Sequence, residues 1–135
     1  DQDKIQQVLN NLVSNAVKYS KDHGTVQIGC KCSNPDYVTI SIKDAGYGIP
    51  KRQQHRVFQK FFRADNVVSK IASGTGLGLY IVKAIVEAHG GRIWFDSIED
   101  VGTTFYVSLP RGSAPVKKRK RSRPTKRSGG YRKVS

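Results

Sequence analysis

Apolar residues recur every three or four positions near the start of the chain. Ile5, Val8, Leu9, Leu12, Val13 and Ala16 share one side of a helix predicted over residues 3–19. The next apolar pattern has period two. TVQIGCKC, residues 25–32, alternates and predicts a strand, and YVTISIK, residues 37–43, alternates again after the turn SNPD. The two read as an antiparallel hairpin. DAGYGIP then interrupts regular structure, and residues 51–63 predict a short helical segment ending in KFFR. Residues 64–76 are polar and contain glycine, as a mobile loop would be. Residues 77–89, LGLYIVKAIVEAH, are apolar nearly all round and predict a buried helix, with Gly90 and Gly91 as its stop. RIWFDS and TTFYVSLP predict two last strands joined by IEDVG. Helices mixed with antiparallel strands predict an α+β fold, a two-layer α/β sandwich.

Charge divides the 135-residue chain. Residues 1–110 carry 13 Lys/Arg against 10 Asp/Glu, a balance of +3. Residues 111–135 carry 11 Lys/Arg and no acid. That segment has few apolar residues and no period, so it predicts a disordered basic tail behind one domain at 1–110. Its KKRKRSRPTKR run reads first as a solvated basic extension, and as an alternative suits nucleic acid or anionic lipid. It also resembles a nuclear-localisation signal. With Tyr131 as the tail's one aromatic residue, base stacking is not supported. Cys30 and Cys32 offer two metal ligands at most and predict reduced, half-buried thiols on the face of Val26 and Ile28. No run approaches the roughly 20 apolar residues of a membrane span, and no signal peptide opens the chain, which predicts a soluble intracellular domain.

Three polar side chains complicate the first helix. Each residue turns a helix by about 100°, so Asn15 falls about 40° to one side of Asn11 and Lys18 about 20° to the other. They form a row beside the apolar face. Neutral amide oxygens suit a hard cation, and a lysine one turn on suits phosphate. Alone, the row fits a solvated helix edge better than a magnesium–phosphate cradle. Asp44 ends an apolar strand and precedes Gly46 and Gly48, which let backbone approach a ligand. A carboxylate there can accept from an exocyclic amine, or serve a turn. GTGLGL, residues 74–79, opens the buried helix with freed backbone N–H groups, an anion site in kind. Neither a Rossmann fingerprint nor a P-loop is present.

These segments, in this order, resemble the ATP-binding catalytic domain of two-component sensor histidine kinases, whose ATP site has the Bergerat fold. NLVSNAVKYS is similar to its N box, DAGYGIP to its G1 box, VFQKFFRAD to its F box, GTGLGL to its G2 box and GTTF to its G3 box. The resemblance covers about residues 1–110. It implies a mixed, mostly antiparallel sheet covered by helices on one face, with ATP and magnesium as cofactors. It implies that Asn15 binds the metal with Asn11 assisting, and that Lys18 meets phosphate beside Tyr19 at the adenine. Asp44 would accept from the adenine amino group, with Gly46, Gly48 and Ile49 around it and Thr103 near the same end. Gly74, Thr75, Gly76, Leu77, Gly78 and Leu79 would cradle phosphate. Phe58, Phe61 and Phe62 would anchor the lid, residues 64–76, or simply pack in the core, and Arg63 would reach the γ-phosphate. Lys18 and Arg63 are thereby the catalytic pair.

Asn11 stands where the ATP-hydrolysing relatives carry a glutamate. An amide cannot act as a general base at neutral pH, so the sequence favours a kinase over a hydrolase. His23, His55 and His89 lie outside any phosphoacceptor pattern. The resemblance therefore implies that partner dimerisation and phosphotransfer helices supply the acceptor, and that a response regulator receives the phosphoryl group indirectly. It also implies a cytoplasmic location in a bacterial sensor kinase. An anti-sigma-type serine kinase of the same fold is the alternative, against which the F box and long lid argue.

Overall fold

The computed structural model describes residues 1–21, 24–68 and 76–111. Helix α1 spans Gln2–Tyr19, strand β1 Gln27–Asn34 and strand β2 Tyr37–Lys43. A 3-10 helix, Lys51–Arg56, and a one-turn α2, Asp65–Val68, precede α3 at Gly78–Ala88, β3 at Arg92–Ile98 and β4 at Gly102–Pro110. The four strands form one sheet in the order β1-β2-β4-β3. Each of its pairings is antiparallel, so the mixed sheet expected narrows to a purely antiparallel one among the described residues.

The two-residue period sorts the sheet faces. On β4, Thr103, Phe105, Val107 and Leu109 are buried, while the residues between them are half-buried. Val107 lies opposite Ile40 of β2 and Ile93 of β3, which places those strands' apolar residues on the same face. Against this face lie Val8, Leu12 and Ala16 of α1 and Val82 and Val86 of α3. Phe58 closes the core edge-on, with its ring centroid 5.8 Å from Phe95 and 6.4 Å from Phe105. The far face carries the chain's single tryptophan. Trp94 stacks on Tyr106 at 5.4 Å between centroids, and the Arg92 guanidinium lies 4.8 Å above the indole ring.

Helix ends follow their local chemistry. The Asp1 carboxylate caps α1 by accepting from the Asp3 and Lys4 backbone N–H groups. Gly90 and Gly91 end α3 as expected. Gly90, at φ +75°, donates to the Glu87 carbonyl, and Gly91 donates to that of Val86, a complete Schellman turn. His89 is the C-cap, with Nδ1 2.8 Å from the Ile85 carbonyl.

Some expectations need correction. Cys30 and Cys32 are exposed, not half-buried. Their face is the helix-covered one, but α1 packs on β2 and α3 on β3, and the edge strand β1 extends past both. Of residues 51–63, expected as one short helical segment, Lys51–Arg56 form the 3-10 helix and 57–63 are turns and irregular chain. Within 64–76, residues 65–68 are helical where a loop was expected. His23, Gly74, Thr75 and the basic tail beyond Arg111 lie outside the described residues. The nucleic-acid or lipid partner therefore rests on sequence charge alone. None of the described helices is long and apolar enough to cross a membrane.

Leu12 is 1% exposed and Val17, on the same helix, 63%. Leu12→Ala is expected to cost about 2–5 kcal/mol through lost burial and a residual cavity, and Val17→Ala at most about 0.5 kcal/mol. Urea titrations should show a lower midpoint at unchanged slope for the first variant only.

Candidate functional site

A cavity of about 370 Å³ opens between α1, the start of α3 and the β2 end of the sheet. That volume falls within the range of small-molecule sites. From α1 come Asn11, Asn15 and Lys18, the polar row that the helical wheel sets along one edge, with Tyr19 after it. The Lys18 ammonium lies 5.5 Å from the Tyr19 ring centroid. Arg63 lines the same cavity from the segment before α2. Gly76, Gly78 and Leu79 line it where α3 begins. Apart from its chain neighbours and the helix's own backbone, no described residue lies within 4 Å of the point where a Gly78 side chain would start, so this wall is open backbone. Asp44, Gly48, Ile49 and Thr103 line the sheet side.

Asp44 is 8% exposed. Its Oδ1 accepts from the Gly46 N–H at 3.0 Å and from the Thr103 N–H at 3.2 Å. Its own N–H donates to the Thr103 carbonyl at 2.9 Å. No described residue hydrogen-bonds Oδ2. Burial raises the carboxyl pKa above its ordinary 3.8, and the two backbone donors oppose that rise. The loop after Asp44 is seated by contacts that leave no room for side chains. A Cβ on Gly46 would come 2.1 Å from the Tyr19 carbonyl oxygen, and one on Gly48, at φ +65°, 2.2 Å from that of Ile98. The Asn66 carboxamide donates to the Tyr47 and Gly48 carbonyls at 3.0 and 3.1 Å. The floor is thus fixed from three directions.

Among the described residues, the structure gathers most of those singled out in the sequence and leaves Gly46, Phe58, Phe61 and Leu77 outside the lining. Gly46 does not line the cavity but lets the loop approach Tyr19. Leu77 is the N-cap residue of α3, outside the lining. Phe61 is 69% exposed, in a left-handed conformation at φ +63°, and its N–H donates to the Gly76 carbonyl at 2.8 Å. Its contribution is a backbone clasp between the two ends of 61–76. Phe58 and Phe62 pack against the core. Ser14, Val57, Phe62, Ala64 and Phe105 line the cavity without having been assigned to it. Ser14 was accessible to sequence reasoning, since the helical repeat sets it beside Lys18, one turn away on the same edge of α1.

Comparison with known proteins identifies the family. The model of the histidine kinase-, DNA gyrase B- and HSP90-like ATPases matches residues 1–113, and the chain belongs to that family of ATPase domains. Within it, the chain is homologous to the catalytic domains of sensor histidine kinases. Sensor histidine kinase WalK of Bacillus subtilis (strain 168) is 50% identical over 111 residues, covering 82% of this chain and 18% of that protein. The chain thus spans about a fifth of that relative's length. The mycobacterial sensor histidine kinase MprB superposes with a TM-score of 0.74 at 34% identity, over 82% of this chain and 74% of that one. Full-length ShkA in complex with AMPPNP superposes with a TM-score of 0.67 at 28% identity, over 79% of this chain and 21% of that one.

The environment of Asp44 has a pH signature. A carboxyl whose pKa is raised on folding adds stability below its unfolded pKa, and that contribution is lost as pH rises through the folded value. Asp44→Asn keeps an oxygen for both backbone donors and removes the buried charge. Its melting temperature relative to the parent should therefore rise between pH 4 and pH 7. A flat or falling difference across that interval contradicts the assignment.

Proposed function

We propose that this domain binds Mg-ATP in the cavity and donates the γ-phosphoryl group to a histidine on a separate dimerisation and phosphotransfer domain. The observation that carries this reading is the single cavity joining the α1 amide row, Lys18 and Arg63 to the buried Asp44. Oxygen donors without charge, two cations and an isolated carboxylate acceptor suit a metal–triphosphate at one side and an amine-bearing base at the other.

The donor set fits magnesium. Asn15, assisted by Asn11, would hold the ion through hard amide oxygens. Bound there, the ion supplies charge neutralisation and a template for the phosphates. Lys18 and Arg63 add fixed positive charge where negative charge develops, so catalysis is positioning and electrostatics. Asp44 accepts from the base, and the α3 start offers backbone N–H groups to phosphate. Among the described histidines, neither His55 nor His89 lines the cavity, which suits an acceptor on partner helices. From those helices the phosphoryl group would pass to a response regulator. Kinship with sensor kinases favours this reading over a serine kinase of the same fold.

Calorimetry should detect ATP binding that is stronger with magnesium than with EDTA. Asn15→Ala should weaken the magnesium-dependent part about ten- to a hundredfold, as expected for a lost contact to a charged group. No nucleotide binding at millimolar concentration overturns the proposal.

Asn11 gives a second test. Without a carboxylate base, hydrolysis by the domain alone should run about 10²–10⁴-fold below that of base-equipped relatives. Mixed with separately made dimerisation helices, the same domain should yield ATP-dependent phosphohistidine. Rapid hydrolysis by the unaltered chain refutes the reading of Asn11.

A further inference from the structure

Ser97 lies on β3, half-buried and outside the cavity lining, and three polar groups converge on its hydroxyl. The Ile49 backbone N–H donates to Oγ at 2.8 Å. The Gly102 carbonyl accepts from it at 3.2 Å. The Thr103 Oγ1 lies 2.7 Å away. Two of these three have fixed polarity. A peptide N–H can only donate, and a carbonyl oxygen can only accept. A serine hydroxyl has one hydrogen and two lone pairs. Ile49 occupies one lone pair and Gly102 takes the hydrogen, so the second lone pair remains for Thr103. In that arrangement the Thr103 hydroxyl is the donor in its contact with Ser97.

That assignment reaches the cavity. Thr103 is 6% exposed and lines it beside Asp44. With its hydrogen spent on Ser97, Thr103 Oγ1 has only acceptor capacity left. Asp44 Oδ2 is an acceptor too when the carboxyl is ionised. We infer that Ser97 is a positioning residue that turns the Thr103 hydroxyl into an obligate acceptor, so that the sheet side of the cavity selects a base with an exocyclic amine over one with a carbonyl. An amine carries two N–H donors for two acceptors. A carbonyl in its place meets lone pairs on both sides. The inference rests on the nucleotide-binding reading and specifies how that site chooses its base.

The test compares ATP with ITP, whose base carries a carbonyl and a ring N1–H in place of the amine and the bare N1, by calorimetry on the full chain; the change in the ratio between variants isolates the Thr103 contact. The unaltered chain should prefer ATP. Ser97→Ala frees the Thr103 hydroxyl to turn and donate to a carbonyl, so the ITP-to-ATP ratio of dissociation constants should fall about tenfold, the equivalent of one hydrogen bond. Ser97→Thr keeps the hydroxyl and should keep the ratio. A purely structural role for Ser97 would weaken both nucleotides alike and leave the ratio unchanged, which overturns the inference. Ser97→Ala also strands the Ile49 N–H. Should that variant fail to fold, Thr103→Val decides: it must lower the ratio, and an unchanged ratio overturns the inference. In the Thr103→Val background Ser97→Ala should have no further effect on the ratio. If the unaltered chain binds no ATP, the site reading fails. If it binds and prefers ATP while all variants keep that preference, only the role of Ser97 fails.

Discussion

A carboxylate at 8% exposure survives only if the backbone answers it, and Asp44 is answered by β4. The reciprocal bonds between Asp44 and Thr103 continue the β2–β4 pairing one residue beyond its last register pair, Lys43 with Thr104. The central pair of the sheet thus extends into the floor of the cavity. Because both hydrogen bonds to the carboxylate fall on one oxygen, the same feature that anchors the group leaves the other without a hydrogen bond from any described residue. The sheet, the glycine loop and the polar helix edge are arranged around that division.

The loop after Asp44 turns this into a rigid boundary. Gly46 forms a bridge with Ser20 directly after α1, and Tyr47 donates to the Tyr19 carbonyl at 3.3 Å. The chain that ends the polar row is therefore stitched to the chain that carries the acceptor. A displacement of α1 along its axis moves Asn11, Asn15 and Lys18 relative to Asp44, and the stitch opposes it. Placement of two chemically different groups is thereby set by backbone geometry, which side-chain fluctuations disturb little.

Much of this was visible in the sequence, for identifiable reasons. The α1 pattern of Val8, Leu12 and Ala16 is strong because one helix face meets one core. Strand β2 forms at the expected 37–43, where alternation is uninterrupted, whereas β1 begins two residues later than expected, at Gln27. Its ladder slips between Lys31 and Asn34, and its edge position demands little apolar patterning. The segment 51–63 is helical only over Lys51–Arg56, because beyond it the apolar residues cluster in VFQKFF and Phe61 adopts a left-handed turn that no local preference announces. Ser97 was invisible for another cause. It acts through Thr103, whose hydroxyl it meets across the β3–β4 pair, and local motif patterns do not encode such a relation.

The placement of Trp94 has a spectroscopic consequence. The indole sits on the sheet face opposite the helices, between Tyr106 and the Arg92 guanidinium, and does not line the cavity. It is the chain's sole tryptophan. Its emission therefore reports on the integrity of the β3–β4 pair and on collapse of the sheet, with no quencher or dipole delivered to it by an occupant of the cavity. Folding and occupancy are optically separate in this domain, and a fluorophore meant to sense the second has to be introduced on the helix side.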